Sequence, residues 1–238
     1  MLNHTTITTT FNTYNQAAMA KEPVIICISH QKGGVGKSML SLTLSEYFNT
    51  QGDKCAIVDI DEQGTITDIF ASFGDSTGKI LGGVHLLDYN ELEDITDLRK
   101  REDYDLIIID TPPYIFEDVR PIFSISDCIL IPTKPSVNDY LAIHRTIDLV
   151  LEAISVNPFL KFGIIINMNI KGSSFSVEIR KELNKQGVKV FDTEIGQRVE
   201  FTRYHLQHET IFKTSDQKAQ DEISKLGAEV FDFITSTP

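Results

Sequence analysis

Residues 31–38 read QKGGVGKS, a glycine-rich stretch with lysines at positions 32 and 37. A glycine-rich turn lets successive backbone N–H groups converge on phosphate oxygens, and a helix that starts directly after it adds a favourable dipole. The apolar run VIICIS precedes this loop, and a helical pattern, SMLSLTLSEYF, follows it. Within the loop, Gly33, Gly34, Val35 and Gly36 would supply backbone N–H groups. Lys37 would meet the β- and γ-phosphates of a nucleotide, and the Ser38 hydroxyl would bind Mg²⁺, with Met39 next in the chain. The usual phosphate-loop pattern, G-x-x-x-x-G-K-[ST], asks for glycine where this chain has Gln31, and Lys32 comes next. The second lysine needs its own explanation.

Three further polar groups end apolar runs. In DIDEQG, Asp59 and Asp61 stand at i and i+2, so they leave a strand on the same face and are expected to approach one metal–phosphate centre. In DLIIIDTPP, Asp110 ends an apolar strand, where a charge is costly unless it is paired or near a metal. That is where a Walker B aspartate holds Mg²⁺. In FGIIINMN the strand ends at Asn167, without the N-K-x-D of guanine-specific enzymes. An amide both donates and accepts, which suits an adenine edge and favours ATP over GTP.

These residues need a scaffold that brings strand ends together. Short Val/Ile-rich runs recur at 24–29, 55–60, 105–110, 128–133, 162–167 and 188–193. They are continuously apolar, as parallel strands covered on both faces are. Helical patterns are expected at 38–49, 66–73, 90–101, 117–125, 137–155, 174–186 and 217–234. This alternation predicts an α/β fold, a doubly wound and mostly parallel sheet with helices on both faces. Ligands of such sheets bind at the strands' carboxyl ends, where each polar motif above falls. Residues 23–238 are expected to form one domain, and residues 1–22, rich in Thr and Asn, a disordered N-terminal extension with Met19 as an alternative start.

The 238 residues are 41% hydrophobic and 24% charged, an ordinary balance for a globular protein. Cys27, Cys55 and Cys128 lie in apolar runs without metal-like spacing, so they read as buried thiols in a reducing compartment. No apolar run approaches the roughly 18 residues of a membrane span, and no signal peptide is visible. The expected location is the cytoplasm. A net charge of −12 argues against a dedicated basic nucleic-acid binder. The charge is uneven, however: residues 180–218 hold eight Lys/Arg against six Asp/Glu, a net of +2 within a background of −14. Arg198 and Arg203 centre this island and are the candidate DNA contacts.

On QKGGVGKS, DIDEQG, IIIDTPP, IPTKPS and IINM in this order, with VFDTEIGQRVEFTR and AQDEISKLGAEV, residues 24–234 resemble the deviant Walker ATPases of the ParA/MinD type, above all the small ParA partition proteins. The resemblance implies ATP and Mg²⁺ as cofactors and a P-loop NTPase fold. It also implies a homodimer that forms on ATP binding, in which Lys32 reaches the partner's phosphates while Lys37 acts in cis. Asp61 would position the attacking water, Asp59 support a nucleotide-sensing switch, Asp110 hold Mg²⁺ and Asn167 contact adenine, with Pro132–Pro135 near the nucleotide. The chain departs from the family at Glu62, where proline is usual, and at Gly196–Gln197, where Pro-Arg is frequent; the missing arginine is one of the family's contacts to DNA.

Three functions follow. One is a positioning switch that rides on nonspecific DNA, is nucleoid-associated, and is released when a small DNA-binding partner protein stimulates hydrolysis. Another is a MinD-like membrane switch, disfavoured because residues 215–238 carry two lysines against five acids and so form no basic amphipathic tail. The third is a metabolic P-loop enzyme of the same superfamily.

Overall fold

The computed structural model describes residues 10–17, 22–113, 119–170 and 174–236. A short helix α1 (Phe11–Ala17) comes first, followed by β1 (Val24–Ile28), α2 (Lys37–Gln51), β2 (Cys55–Asp59) and α3 (Thr65–Phe73). Next come β3 (Ile80–Leu81), β4 (Val84–Leu87), β5 (Leu106–Asp110), α4 (Val119–Ile125), β6 (Cys128–Thr133) and α5 (Val137–Ile154). The chain closes with β7 (Lys161–Ile166), α6 (Phe175–Lys185), a single turn α7 (Glu200–Arg203) and α8 (Gln217–Thr235).

The seven strands lie in the order β3-β4-β2-β5-β1-β6-β7, parallel throughout except for the β3–β4 pair. Strand alternation explains the continuous apolar runs. Val24, Ile26 and Ile28 face one core with α2 and α8, while Ile25 and Cys27 face the other with α4, α5 and α6. Both faces are covered, so every side chain of β1 is buried, each worth roughly 1.5–3 kcal/mol for the larger aliphatics. The three cysteines are free and buried, and burial pushes their thiols up. Pro132 sits inside β6 without disrupting the sheet, because pairing with β1 ends at Leu130 and leaves no partner for the missing N–H.

Three expectations are corrected, and one element was not anticipated. Residues 11–17 are not a disordered lead-in: Phe11 is fully buried between Phe48 and Phe231, with ring centroids 4.9 and 5.0 Å away, and the Asn12 N–H donates to Asp53. The rest of that extension, residues 1–9 and 18–21, lies outside the described residues. The run 188–193 forms no strand beyond a bridge from Val190 to Ile164, because side chains take its backbone groups. Arg180 donates to the Phe191 carbonyl, and Glu229 accepts from the N–H groups of Asp192 and Thr193. The helix expected at 90–101 is two 3₁₀ turns, Tyr89–Glu91 and Ile95–Lys100, each started by its own aspartate cap, Asp88 and Asp94. Finally, the β3–β4 hairpin was not anticipated, although Gly82-Gly83 between Leu81 and Val84 is a hairpin signal; both glycines take positive φ, 58° and 88°. Of the expected helix 117–125, residues 117–118 lie outside the described residues.

Candidate phosphate-binding site

The loop between β1 and α2 passes over the carboxyl ends of β5, β6 and β7, and neighbours from each of those strands shape it. Gly36 is the residue before α2 and takes φ 91°, the left-handed region. A Cβ there would stand 2.2 Å from Asn167 Nδ2, so only glycine fits. Asn167 is fully buried: its Nδ2 donates to the Val35 carbonyl at 2.7 Å, and its Oδ1 accepts from the Met168 N–H. Met168 pays for this turn with φ 52°, the one positive value outside glycine among the described residues. Through these bonds the amide braces the loop. Val35 is fully buried and Met39 half-buried against the core, while Gly33 and Gly34 face solvent.

Lys37 opens α2 and is 6% exposed. Burial pushes its ammonium pKa down, while the carboxylates of Asp110 and Asp61 oppose that shift. Asp110 is itself fully buried at the end of β5. It accepts from Ser38 Oγ at 2.6 Å and from Ser41 Oγ at 2.9 Å. Burial raises its pKa, against the pull of the two hydroxyls. A hydroxyl and a carboxylate so placed are hard oxygen donors, the set that Mg²⁺ takes with phosphates completing its shell. The residues therefore fit the ion, which Ser38 and Asp110 would hold. Among the described residues no group of three or more His, Cys, Asp or Glu could hold a metal by itself.

Asp59 and Asp61 have different partners within the protein. Asp59 caps α3: one oxygen accepts from the N–H groups of Ile66 and Thr67, both at 3.0 Å, and the other from the Asp61 N–H. That ties the end of β2 to the start of α3. Asp61 is half-buried, and its Oδ1 accepts from the Gln63 N–H. Pro132 is buried below the site, one strand from Asn167.

Lys32 leaves the loop toward α5. Its N–H donates to His30 Nδ1, and its Nζ lies 2.9 Å from Asp139 Oδ1. Burial and the positive charge of Lys37 push the fully buried His30 down to about 4, so this imidazole is neutral. Lys134 is a third ammonium at the loop, its Nζ 3.7 Å from where a Gly34 Cβ would stand. Motif reading did not single out Ser41 or Asp139, and it took in Lys134 only as part of the Pro132–Pro135 segment. Ser41 lies one helical turn beyond Lys37, a spacing that could have drawn attention to it, whereas Asp139 comes from the first turn of α5, far along the chain.

Arg198 and Arg203 lie away from this site and differ from each other. Arg198 is bound by Glu222 through Nε and Nη2 and is flanked by Asp216. Arg203 is exposed and, among the described residues, pairs with Glu200, three residues earlier in α7.

Comparison with known proteins agrees with this geometry. The profile of the CobQ/CobB/MinD/ParA nucleotide binding domain matches residues 26–211. The maintenance of carboxysome distribution protein A of Halothiobacillus neapolitanus is 25% identical over 209 residues, 86% of this chain and 95% of that protein. A putative plasmid partition protein from Borrelia burgdorferi, solved with AMPPNP, superposes with a TM-score of 0.69 over 89% of this chain and 99% of that one, at 19% identity. Cobyrinic acid a,c-diamide synthase from Mycobacterium smegmatis, solved with an ATP analogue and magnesium, superposes with a TM-score of 0.66 over 88% and 95%, at 14% identity. These two structures speak for the fold. With residues 26–211 matched, this chain belongs to the CobQ/CobB/MinD/ParA nucleotide-binding family.

Proposed function

We propose that this protein is a dimerising ATP switch that positions a cargo on nonspecific DNA. The observation that carries the reading is the contrast between its two loop lysines. Lys37 is buried beside Asp110 and Asp61, where it can serve only its own protomer's nucleotide. Lys32 keeps a side chain 40% exposed at the rim, where a second protomer's phosphates could be met. In this scheme ATP bridges two protomers and Lys32 stabilises transition-state charge in trans, much as an arginine finger does. Asp61 orients the attacking water, and Ser38 with Asp110 holds Mg²⁺, which neutralises phosphate charge when bound. A small DNA-binding partner stimulates hydrolysis and so releases the dimer from DNA in the cytoplasm, over the nucleoid.

Static light scattering on a size-exclusion column, with ATP and Mg²⁺, tests the scheme. Lys32→Ala should bind nucleotide yet stay monomeric and inert, while Asp61→Ala should accumulate as the dimer. Wild-type behaviour from both variants would sink it.

One observation favours a metabolic enzyme as the second reading. A cleft of about 750 Å³ runs beside Asp59 and Asp61, lined also by Thr67, Lys79, Asp88 and Tyr89, with room for a small substrate. Turnover by monomeric Lys32→Ala would select that reading. A membrane switch finds less support: the apolar face of α8, with Ile223, Leu226, Val230, Phe231 and Ile234, is buried in the core. Among the described residues no helix is long and apolar enough to cross a membrane.

A further inference from the structure

The Lys32–Asp139 ion pair is built with more care than a chance surface contact. Asp139 lies in the first turn of α5 and is only 4% exposed. Ser136, the cap of α5, holds it from two sides: the Ser136 hydroxyl bonds the Asp139 carboxylate, and the Asp139 N–H donates to the same oxygen. At the other end, the bond from the Lys32 N–H to buried His30 sets the direction in which the lysine leaves the loop. The carboxylate is thus fixed and the ammonium is the mobile partner. Both groups belong to one chain, so the pair holds Lys32 over its own α5.

We propose that Asp139 is a positioning residue that keeps Lys32 in cis, so that reaching a second protomer's phosphates requires breaking the Lys32–Asp139 pair. The inference rests on the reading of Lys32 as the lysine that acts in trans. Its physical content is competition. One carboxylate and a set of phosphate oxygens contend for the same ammonium, and nucleotide held by a second protomer offers the larger negative charge. A pair this exposed on the lysine side is weak, so the monomer is restrained and not locked. The released fraction is then roughly one in five, and because both protomers must release their lysine, apparent dimer affinity falls by about the square of that factor, roughly 25-fold. Such a restraint suppresses dimerisation and futile turnover at low protein concentration, and it is overcome as ATP-loaded protomers accumulate.

A double-mutant cycle on the full chain tests this, with dimer dissociation constants from sedimentation equilibrium in ATP and Mg²⁺, and with partner-free ATP turnover. Asp139→Asn should tighten the dimer by about 25-fold, a factor of about five from each protomer, and raise partner-free turnover, while Asp139→Glu, which retains the charge, should stay close to wild type. In a Lys32→Ala background, Asp139→Asn should change neither quantity. A looser dimer or slower turnover from Asp139→Asn alone would overturn the proposal, because Asp139 would then be aiming Lys32 across the dimer. A gain that persists without Lys32 would overturn it too, by showing an effect through α5 itself. The underlying reading fails separately, if Lys32→Ala alone dimerises and turns over as wild type does.

Discussion

Two regions of this molecule are rich in positive charge, and the structure treats them in opposite ways. At the phosphate loop, Lys32, Lys37 and Lys134 converge on one glycine-rich turn, and much of their charge remains available to a ligand. In residues 180–218 the charge is largely spent within the fold. Arg180 is bound by Glu194 and three backbone carbonyls, Lys189 by Glu229, and Arg198 by Glu222. Two of these three acids lie on α8, outside the +2 island, so counting charge along a window overstated what the surface offers. A cluster of like charges becomes a binding site only where the fold withholds internal partners.

The comparison breaks most sharply at Lys37. Replacing it with alanine removes the one buried ammonium at the loop and leaves Asp110 without that counter-charge. ATP affinity measured by calorimetry should fall by about 100-fold or more, the scale of losing a buried charge–phosphate contact. An unchanged affinity would mean that this loop is not where nucleotide binds.

Much of the phosphate loop was legible because its chemistry is contiguous. Glycine at Gly36, the lysine beside it and the hydroxyl of Ser38 are neighbours in sequence as well as in space. The parallel sheet was legible for a related reason: a strand buried on both faces has to be apolar at every position, as β1 is. What escaped reading was long-range pairing. Nothing local shows that Asn167 meets Val35, 132 residues away, or that Asp139 meets Lys32. The VKVFDT run looks like a strand by composition, yet Arg180 and Glu229 claim its backbone. Phe11 sits in a polar, Thr-rich stretch, and a single aromatic carries too little local signal to reveal that its helix docks on α2 and α8.

Glu46 joins the two regions and sharpens the contrast. It lies on α2, the helix that carries Lys37, and it is 2% exposed. Its carboxyl group accepts from Tyr204 Oη at 2.8 Å and from the Ile211 N–H at 2.9 Å, so it pins the segment after α7 to the phosphate-loop helix. Burial raises its pKa from 4.5 to about 8, against the two hydrogen bonds. Between those values the folded protein keeps the proton that the unfolded chain has lost. This group's contribution is therefore fully present below about pH 4.5 and declines as pH rises toward 8. Glu46→Gln cannot titrate. In urea denaturation, wild type should lose stability relative to this variant between pH 5 and pH 8, by on the order of a few kcal/mol. Parallel profiles would mean that the carboxyl group is charged in the folded state and that the joint is held by an ordinary ion.

The smallest expected effects lie within the basic island, where Arg198 and Arg203 should behave differently. Arg198→Ala strands Glu222 beside the Gly196 N–H, to which that carboxylate is already bonded. The arginine's side chain is about a quarter exposed, so the cost to stability should be about 1–2 kcal/mol, with little effect on DNA affinity. Arg203 is the reverse case. Its side chain is 62% exposed and its partner Glu200 is a neighbour on the same turn, an arrangement that contributes little and exchanges readily with phosphate. Arg203→Ala should leave the unfolding midpoint unchanged, while the slope of log affinity for DNA against log salt should shrink by roughly 0.9 if the residue neutralises one phosphate. Gel-shift titrations of the ATP-bound protein at several salt concentrations read that slope. If Arg198→Ala lowers DNA affinity and Arg203→Ala does not, the paired arginine is the functional one and the distinction drawn between the two regions fails. If wild type shifts no DNA even at low salt, the switch rides on some other scaffold.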